Sequence, residues 1–217
     1  LLTLGTGVGG AALVEGKLLR GRTGKGGHFG HTSLGPGEPL DICGCPNSLE
    51  LAIGNCTVPQ RSNGRFSHTG EMMKAIENGD TEAEKIWLKS VENLATGICS
   101  FSNILDPEAV ILGGGIANAG DRLFKPLRQF LDPILWETDD YELKLLPAQL
   151  GDLAGAYGAA AHALDALGVV VAEDLVERVE PKRFDLGVLH EPVLQDLFGP
   201  QLVTAMNQRH LGGEVGQ

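Results

Sequence analysis

The chain opens Leu1-Leu2-Thr3-Leu4-Gly5-Thr6-Gly7-Val8-Gly9-Gly10, and the reading of this stretch decides the fold. An apolar run, Leu1 to Leu4, gives way at once to glycines and a threonine, then to Ala11–Val14, a turn at Glu15-Gly16, and Lys17–Arg20. Gly5-x-Gly7-x-x-Gly10 satisfies the dinucleotide-binding spacing, but that loop has to open a helix whose N-terminus faces a pyrophosphate. Ala11 to Arg20 reads instead as a two-stranded hairpin, so the pattern predicts strand, glycine loop, strand, turn, strand, an antiparallel meander. A Walker loop is excluded because no Gly-Lys-Ser/Thr follows at the right spacing. At such a bend, backbone N–H groups and the Thr6 hydroxyl can cradle a phosphate. A tight hairpin that needs positive φ is the other use for these glycines.

Working outward, residues 21–46 form a loop rich in Gly and Pro that carries Lys25, His28, His31, Cys43 and Cys45. Ser48 to Asn55 fits a short helix, and Thr69 to Asn78 a longer one stopped by Gly79. Thr81 with Glu84 three residues on reads as a capping box. Ile86, Val91, Leu94, Ile98, Phe101 and Leu105 then mark one face of a long helix that Asp106-Pro107 ends. Ala109 to Leu112 reads as a buried strand, Gly113-Gly114-Gly115 as a turn, Asp121 to Leu131 as a helix, Tyr141 to Leu146 as a strand and Ala154 to Leu167 as a small-residue helix. The strand, glycine turn, helix order makes the fold class α/β. The glycine triplet follows a buried strand and precedes a helix, where open α/β sheets bind ligands. Two such loops imply one nucleotide between them.

The bulk composition agrees with an acidic enzyme. Across 217 residues the net charge is -11, which would repel a phosphate backbone and argues against nucleic-acid or anionic-membrane partners. The most apolar segment, Ala154 to Ala172, is interrupted by His162, Asp165 and glycines, so no membrane helix is expected. Four cysteines, two of them in Cys43-Gly44-Cys45, do not make a disulfide framework, and the cytoplasm is the expected compartment. The 31 glycines concentrate in loops, where they suit backbone approach to ligands. The chain begins on strand-like sequence without an initiator Met, so residues upstream are expected. Residues 169–217 change character, with short apolar clusters broken by prolines and charges, and fit either a docking helix pair or a partly disordered tail.

Four stretches, in order and spacing, resemble the C-terminal portion of the ROK family of bacterial sugar kinases and related repressors. They are Leu4 to Gly10, the Gly30-His31 pair, Asn103 to Pro107 leading to Ile111–Ala117, and Leu150 to Ala160; the resemblance covers about residues 3–168. It implies an actin-like, hexokinase-like fold of two α/β lobes closing on ATP and a hexose, with residues 1–168 as the C-terminal lobe and 169–217 as an extension. It would assign Gly5, Thr6, Gly7 and Gly9 to phosphate contact and Gly113, Gly114 and Gly115 to the adenosine motif. ATP with Mg2+ is the implied cofactor, and a homodimer the expected assembly. In the family the aspartate that deprotonates the sugar lies upstream, so no catalytic residue is expected in this chain.

The loop from Gly27 to Glu50 departs from the family. Where relatives read Gly-Glu-x-Gly-His, this chain reads Gly27-His28-Phe29-Gly30-His31, replacing a sugar-binding glutamate. Where relatives read Cys-x-Cys-Gly-x-x-Gly-Cys-x-Glu, it reads Asp41 to Glu50, with Asp41 and Ser48 at two positions that are zinc-ligating cysteines in the family. His31 and Glu50 keep the sugar-contacting role by resemblance. A zinc held by His31, Asp41 and Cys43 with a recruited Cys45 is chemically conceivable, but serine is a poor zinc ligand and no structural zinc is expected. Pro36, Pro39 and Pro46 would rigidify the loop in its place. Three readings remain: a sugar kinase, favoured because both nucleotide-type loops survive; a sugar-sensing module of repressor type; and a degenerate relative used for assembly.

Overall fold

Leu2 and Leu4 alternate with Thr3 on a strand, so one face of it is apolar and buries. In the computed structural model, which describes residues 1–136 and 142–166, this strand is β1 (Leu2–Leu4), paired antiparallel with β2 (Val8–Gly10). The strands β3 (Leu13–Val14) and β4 (Lys17–Leu18) form a separate two-stranded hairpin whose side chains are exposed. The expected meander is therefore two pieces, and Gly9 and Gly10 lie inside β2 and not in the loop. The reason is close packing: a Cβ on Gly10 would stand 2.5 Å from the Phe29 ring and 2.6 Å from the Gly27 carbonyl. These glycines let the following loop close over β2.

Next come α1 (Leu49–Ile53), a 3-10 turn at Asn55–Thr57, α2 (Val58–Arg61), α3 (Thr69–Glu77) and α4 (Thr81–Leu105). Thr81 is not the cap of α4. Asp80 takes that place, its carboxylate accepting the N–H groups of Glu82 at 3.1 Å and Ala83 at 3.0 Å. A carboxylate suits the positive end of a helix better than a hydroxyl does. Asp106, at φ 45°, ends the helix in the left-handed region just before Pro107.

The strand β5 (Ala109–Gly113) pairs in parallel with β1, Leu2 beside Leu112 and Thr3 beside Gly113. After α5 (Asp121–Leu131), β6 (Lys144–Pro147) adds in parallel to β5, giving the order β2-β1-β5-β6. Leu123, Leu127 and Leu131, spaced by four along α5, are fully buried beside Val91, Leu94 and Ile98 of α4 in one core. Each such leucine contributes about 1.5–3 kcal/mol. Gly97 of α4 lets the Leu49 side chain of α1 approach, since a Cβ there would lie 3.2 Å from Leu49 Cδ2.

Pro126 sits inside α5 and has no N–H for the Arg122 carbonyl four residues earlier. The Trp87 indole Nε1–H of α4 donates to that carbonyl at 2.9 Å. Arg61 ties off α1: its Nη1 donates to the carbonyls of Leu51 at 3.0 Å and Gly54 at 2.9 Å, and to the Thr57 hydroxyl. Burial lowers the Arg61 guanidinium to about 10.

The chain divides into two compact units, Leu1–Ala154 and Gly155–Gln217. Helix α6 (Ala154–Ala166) carries the described part of the second. Tyr141, Leu167 and the whole extension 169–217 lie outside the described residues. Among the described residues no helix is long and apolar enough to cross a membrane.

Candidate functional site

The two glycine loops read from the sequence come together. Parallel pairing of β1 with β5 sets Gly5 to Gly7 and Gly113 to Gly115 side by side at the carboxyl ends of adjacent strands, the place where open α/β sheets take ligands. Gly5 N–H donates to the Gly7 carbonyl at 3.0 Å, tightening the first loop. Gly114 has φ 83°, and a Cβ on it would fall 2.4 Å from the Leu4 carbonyl oxygen, so the second loop can lie on β1 only as glycine. Gly5, in contrast, has open space where a side chain would go. Gly9 is paired with Thr3 in the sheet, apart from the loop proper.

Glu50 stands against the first loop. Its helix α1 starts at the Ser48 cap, and its Oε2 accepts the Val8 N–H at 2.9 Å. A Cβ on Gly7 would be 2.2 Å from that oxygen. One carboxylate oxygen is thus committed to the backbone of the glycine loop, and Oε1 has no hydrogen bond among the described residues.

His31 ends a 3-10 turn, Phe29–His31, that closes because Gly30 has no side chain to strike the Val8 carbonyl, 2.0 Å from its ideal Cβ. The Nδ1–H of His31 donates to Asp41 Oδ2 at 2.8 Å, and its Nε2 lies 3.6 Å from Cys43 Sγ. Asp41 is buried beneath them, its Oδ1 accepting the N–H groups of Cys43 at 2.8 Å and Cys45 at 2.9 Å. Burial alone would raise the Asp41 carboxyl, but hydrogen bonds from His31, Cys45, Ser48 and Cys43 outweigh it and hold it at about 2. His28 is exposed, its ring 6.1 Å from that of His31.

His31, Asp41 and Cys43 bring potential ligand atoms within 4.8 Å of one another. Their bonding does not suit a four-coordinate zinc. Asp41 Oδ2 is engaged with His31 and Oδ1 with two N–H groups, so the carboxylate serves as a hydrogen-bond hub. Cys45 Sγ faces the Pro46 carbonyl at 3.9 Å. Even with the carboxylate counted, the described residues gather three ligand atoms where a structural zinc takes four.

Beside the glycine triplet lies an open cavity of about 580 Å³, lined by Asn55, Thr69, Met73, Gly115, Ile116 and Asn118. Apart from Gly115 and Ile116, these residues carry no motif and were not read as site residues from the sequence. The one local signal is Gly54-Asn55 directly after a short helix, a helix stop followed by a polar residue.

An α/β lobe with paired glycine loops at the carboxyl ends of parallel strands, and a carboxylate packed on the first loop, defines an actin-like, hexokinase-like ATPase fold. The chain belongs to the ROK family, whose sequence profile matches residues 1–166. It is 31% identical over 185 residues to a glucokinase of Thermotoga maritima, covering 77% of this chain and 58% of that protein. It is 32% identical over 156 residues to an N-acetylmannosamine kinase of Vibrio cholerae, covering 68% of this chain and 54% of the relative. Among solved structures, a ROK hexokinase from Thermus thermophilus superposes with a TM-score of 0.70 at 32% identity, over 77% of this chain and 57% of that one. A Streptomyces griseus ROK glucokinase in complex with glucose and AMPPNP gives 0.64 at 27% identity, over 74% and 58%. The chain therefore spans a little over half the length of these relatives.

Proposed function

We propose that this chain is the nucleotide-binding and sugar-contacting part of an ATP-dependent sugar kinase that transfers the γ-phosphoryl group to a hexose hydroxyl. The observation that carries the reading is the adjacency of the two glycine loops with Glu50 hydrogen-bonded to the first. The backbone of Gly5, Thr6 and Gly7, with Gly9 behind them in the strand, would meet the phosphates, and Gly113 to Gly115 the adenosine side. His31 and the free oxygen of Glu50 would hold sugar hydroxyls. The nucleotide would arrive as its Mg2+ complex. Phosphoryl transfer depends chiefly on holding the two reactants in line, so loops that fix the donor and a carboxylate that fixes the acceptor are the parts the reaction needs. The base belongs to residues outside this chain, and a cytoplasmic homodimer is the assembly proposed for the whole protein.

The test is a phosphorylation assay on the full-length protein with ATP and a panel of glucose, N-acetylmannosamine and N-acetylglucosamine. Turnover of at least one of them is expected. Replacement of the Glu50 carboxylate, Glu50→Ala, should raise the KM of that sugar or abolish turnover. Tight binding of a hexose without any turnover would replace the kinase reading with a sugar-sensing one.

A further inference from the structure

Asn55 lies at the junction of the glycine loop and the cavity. It follows Gly54, which has no space for a side chain: a Cβ there would stand 2.8 Å from the Glu50 carbonyl oxygen and 3.0 Å from the Thr6 carbonyl oxygen. With the chain pressed this close, the Asn55 N–H donates to the Gly5 carbonyl at 3.0 Å and the Cys56 N–H to the Thr6 carbonyl at 2.8 Å. The backbone of Asn55 thus belongs to the glycine loop. Its side chain reaches Thr69, and both residues line the 580 Å³ cavity with Gly115.

The amide orientation is fixed by its neighbours. Both the N–H and the hydroxyl of Thr69, the first residue of α3, point to one Asn55 atom, at 2.9 Å and 2.6 Å. A backbone N–H can only donate, so that atom is the carbonyl Oδ1, and Nδ2 is the remaining end. Nδ2 has no partner among the described residues. The result is a pair of N–H donors held by two bonds on the oxygen, at the wall of a cavity that starts beside the glycine triplet.

We propose that Asn55 is a nucleoside-contacting residue of this site: Nδ2 donates to an acceptor of the bound nucleoside while the Asn55 backbone positions the glycine loop. The inference rests on the nucleotide site of the kinase reading and adds to it the group that joins its two ends. A ligand that takes up Nδ2 tightens the same residue that holds the Gly5 carbonyl, so nucleoside occupancy and loop order are linked. Thr69 is a positioning residue, acting through Asn55.

The experiment is calorimetric titration of the full-length protein with ATP, with adenosine, and separately with the hexose it binds. Asn55→Asp keeps an oxygen for Thr69 and the backbone bond to Gly5 but replaces the donor with an acceptor. It should weaken adenosine, which has no phosphate charge to repel, by about tenfold, and leave hexose binding without nucleotide unchanged. Thr69→Val removes one of the two bonds on Oδ1 and should weaken adenosine a few-fold, with the same melting temperature. Unchanged adenosine affinity in Asn55→Asp, or loss confined to ATP, would overturn the assignment. If the natural protein binds nucleotide yet phosphorylates no hexose, the kinase reading fails while Asn55 is judged by the same titrations. If it binds no nucleotide, both fall.

Discussion

The indole of Trp87 hydrogen-bonds the Arg122 carbonyl at 2.9 Å, the one carbonyl of α5 that Pro126 cannot serve. A proline in a helix interior normally costs about 3 kcal/mol, part of it from the orphaned acceptor. Here a side chain from α4 meets that acceptor, and the bond fastens α5 to the core. Trp87→Phe keeps most of the ring but strands the carbonyl, so a loss of about 1–3 kcal/mol is expected in urea unfolding. The double variant Trp87→Phe with Pro126→Ala should recover part of it, because a backbone N–H restored at that position serves the Arg122 carbonyl again. Equal losses with and without the proline change would disprove the pairing.

Gly5 and Gly114 look alike in sequence and should behave differently. Alanine at Gly114 would force a Cβ into the Leu4 carbonyl at a φ of 83°, so Gly114→Ala should lower stability by more than about 1 kcal/mol. Gly5 has free space, so Gly5→Ala should melt near the natural protein and lose nucleotide affinity selectively. Thermal melts with and without ATP separate the two; a Gly5→Ala protein that binds ATP normally would remove that residue from the proposed phosphate site.

Asp41 gives the loop over residues 28–48 a defined acid limit. Its carboxyl is held at about 2 against 3.8 when free. Because the folded value is depressed, the stabilisation is fully present above the free value and is lost as pH falls through about 2. The stability difference between the natural protein and Asp41→Asn should therefore be constant above about pH 4 and vanish toward pH 2. A difference that does not change with pH would show that the charge on Asp41 is irrelevant to the loop.

The same hub predicts the metal content. Elemental analysis of the purified full-length protein should give well under one zinc per chain, since three ligand atoms fall short of the four a structural zinc takes. Adding the two absent thiolates, Asp41→Cys with Ser48→Cys, should create a site with His31 and Cys43 that retains one zinc through dialysis. One zinc in the natural protein, held through Cys43 and Cys45, would mean that the loop rearranges to bind metal.

The helices and the order of elements were legible because they rest on local signals. The apolar spacing of Val91, Leu94, Ile98 and Phe101 and the stop at Asp106-Pro107 give α4, and Asp121 to Leu131 appears with the bounds read from sequence. Asp80 was missed as the cap because Thr81-x-x-Glu84 satisfies the same rule one residue later. The separation of β3 and β4 from the main sheet was not legible, since two-residue strands carry no alternation. At the site, the glycine loops were readable by type and were expected to flank one nucleotide, while the parallel β1–β5 pairing that sets them side by side joins strands far apart in sequence. Asn55 and Thr69 meet from two different helical segments, which no spacing rule connects. The role of Asp41 as a hub required seeing four donors converge on it.

That parallel pairing has a kinetic consequence. The α4 and α5 helices, separated by the β5 strand and its glycine turn, are near in sequence and pack on each other early, whereas Leu2 and Thr3 must find Leu112 and Gly113 across all of the helices α1 to α4. Pairings of such high contact order close late, after the local elements are in place. The cleft between the two glycine loops is built on this closure, so it is among the last features to appear during folding and among the first to open. A ligand bridging the two glycine loops would act on that step directly, slowing unfolding far more than it speeds folding.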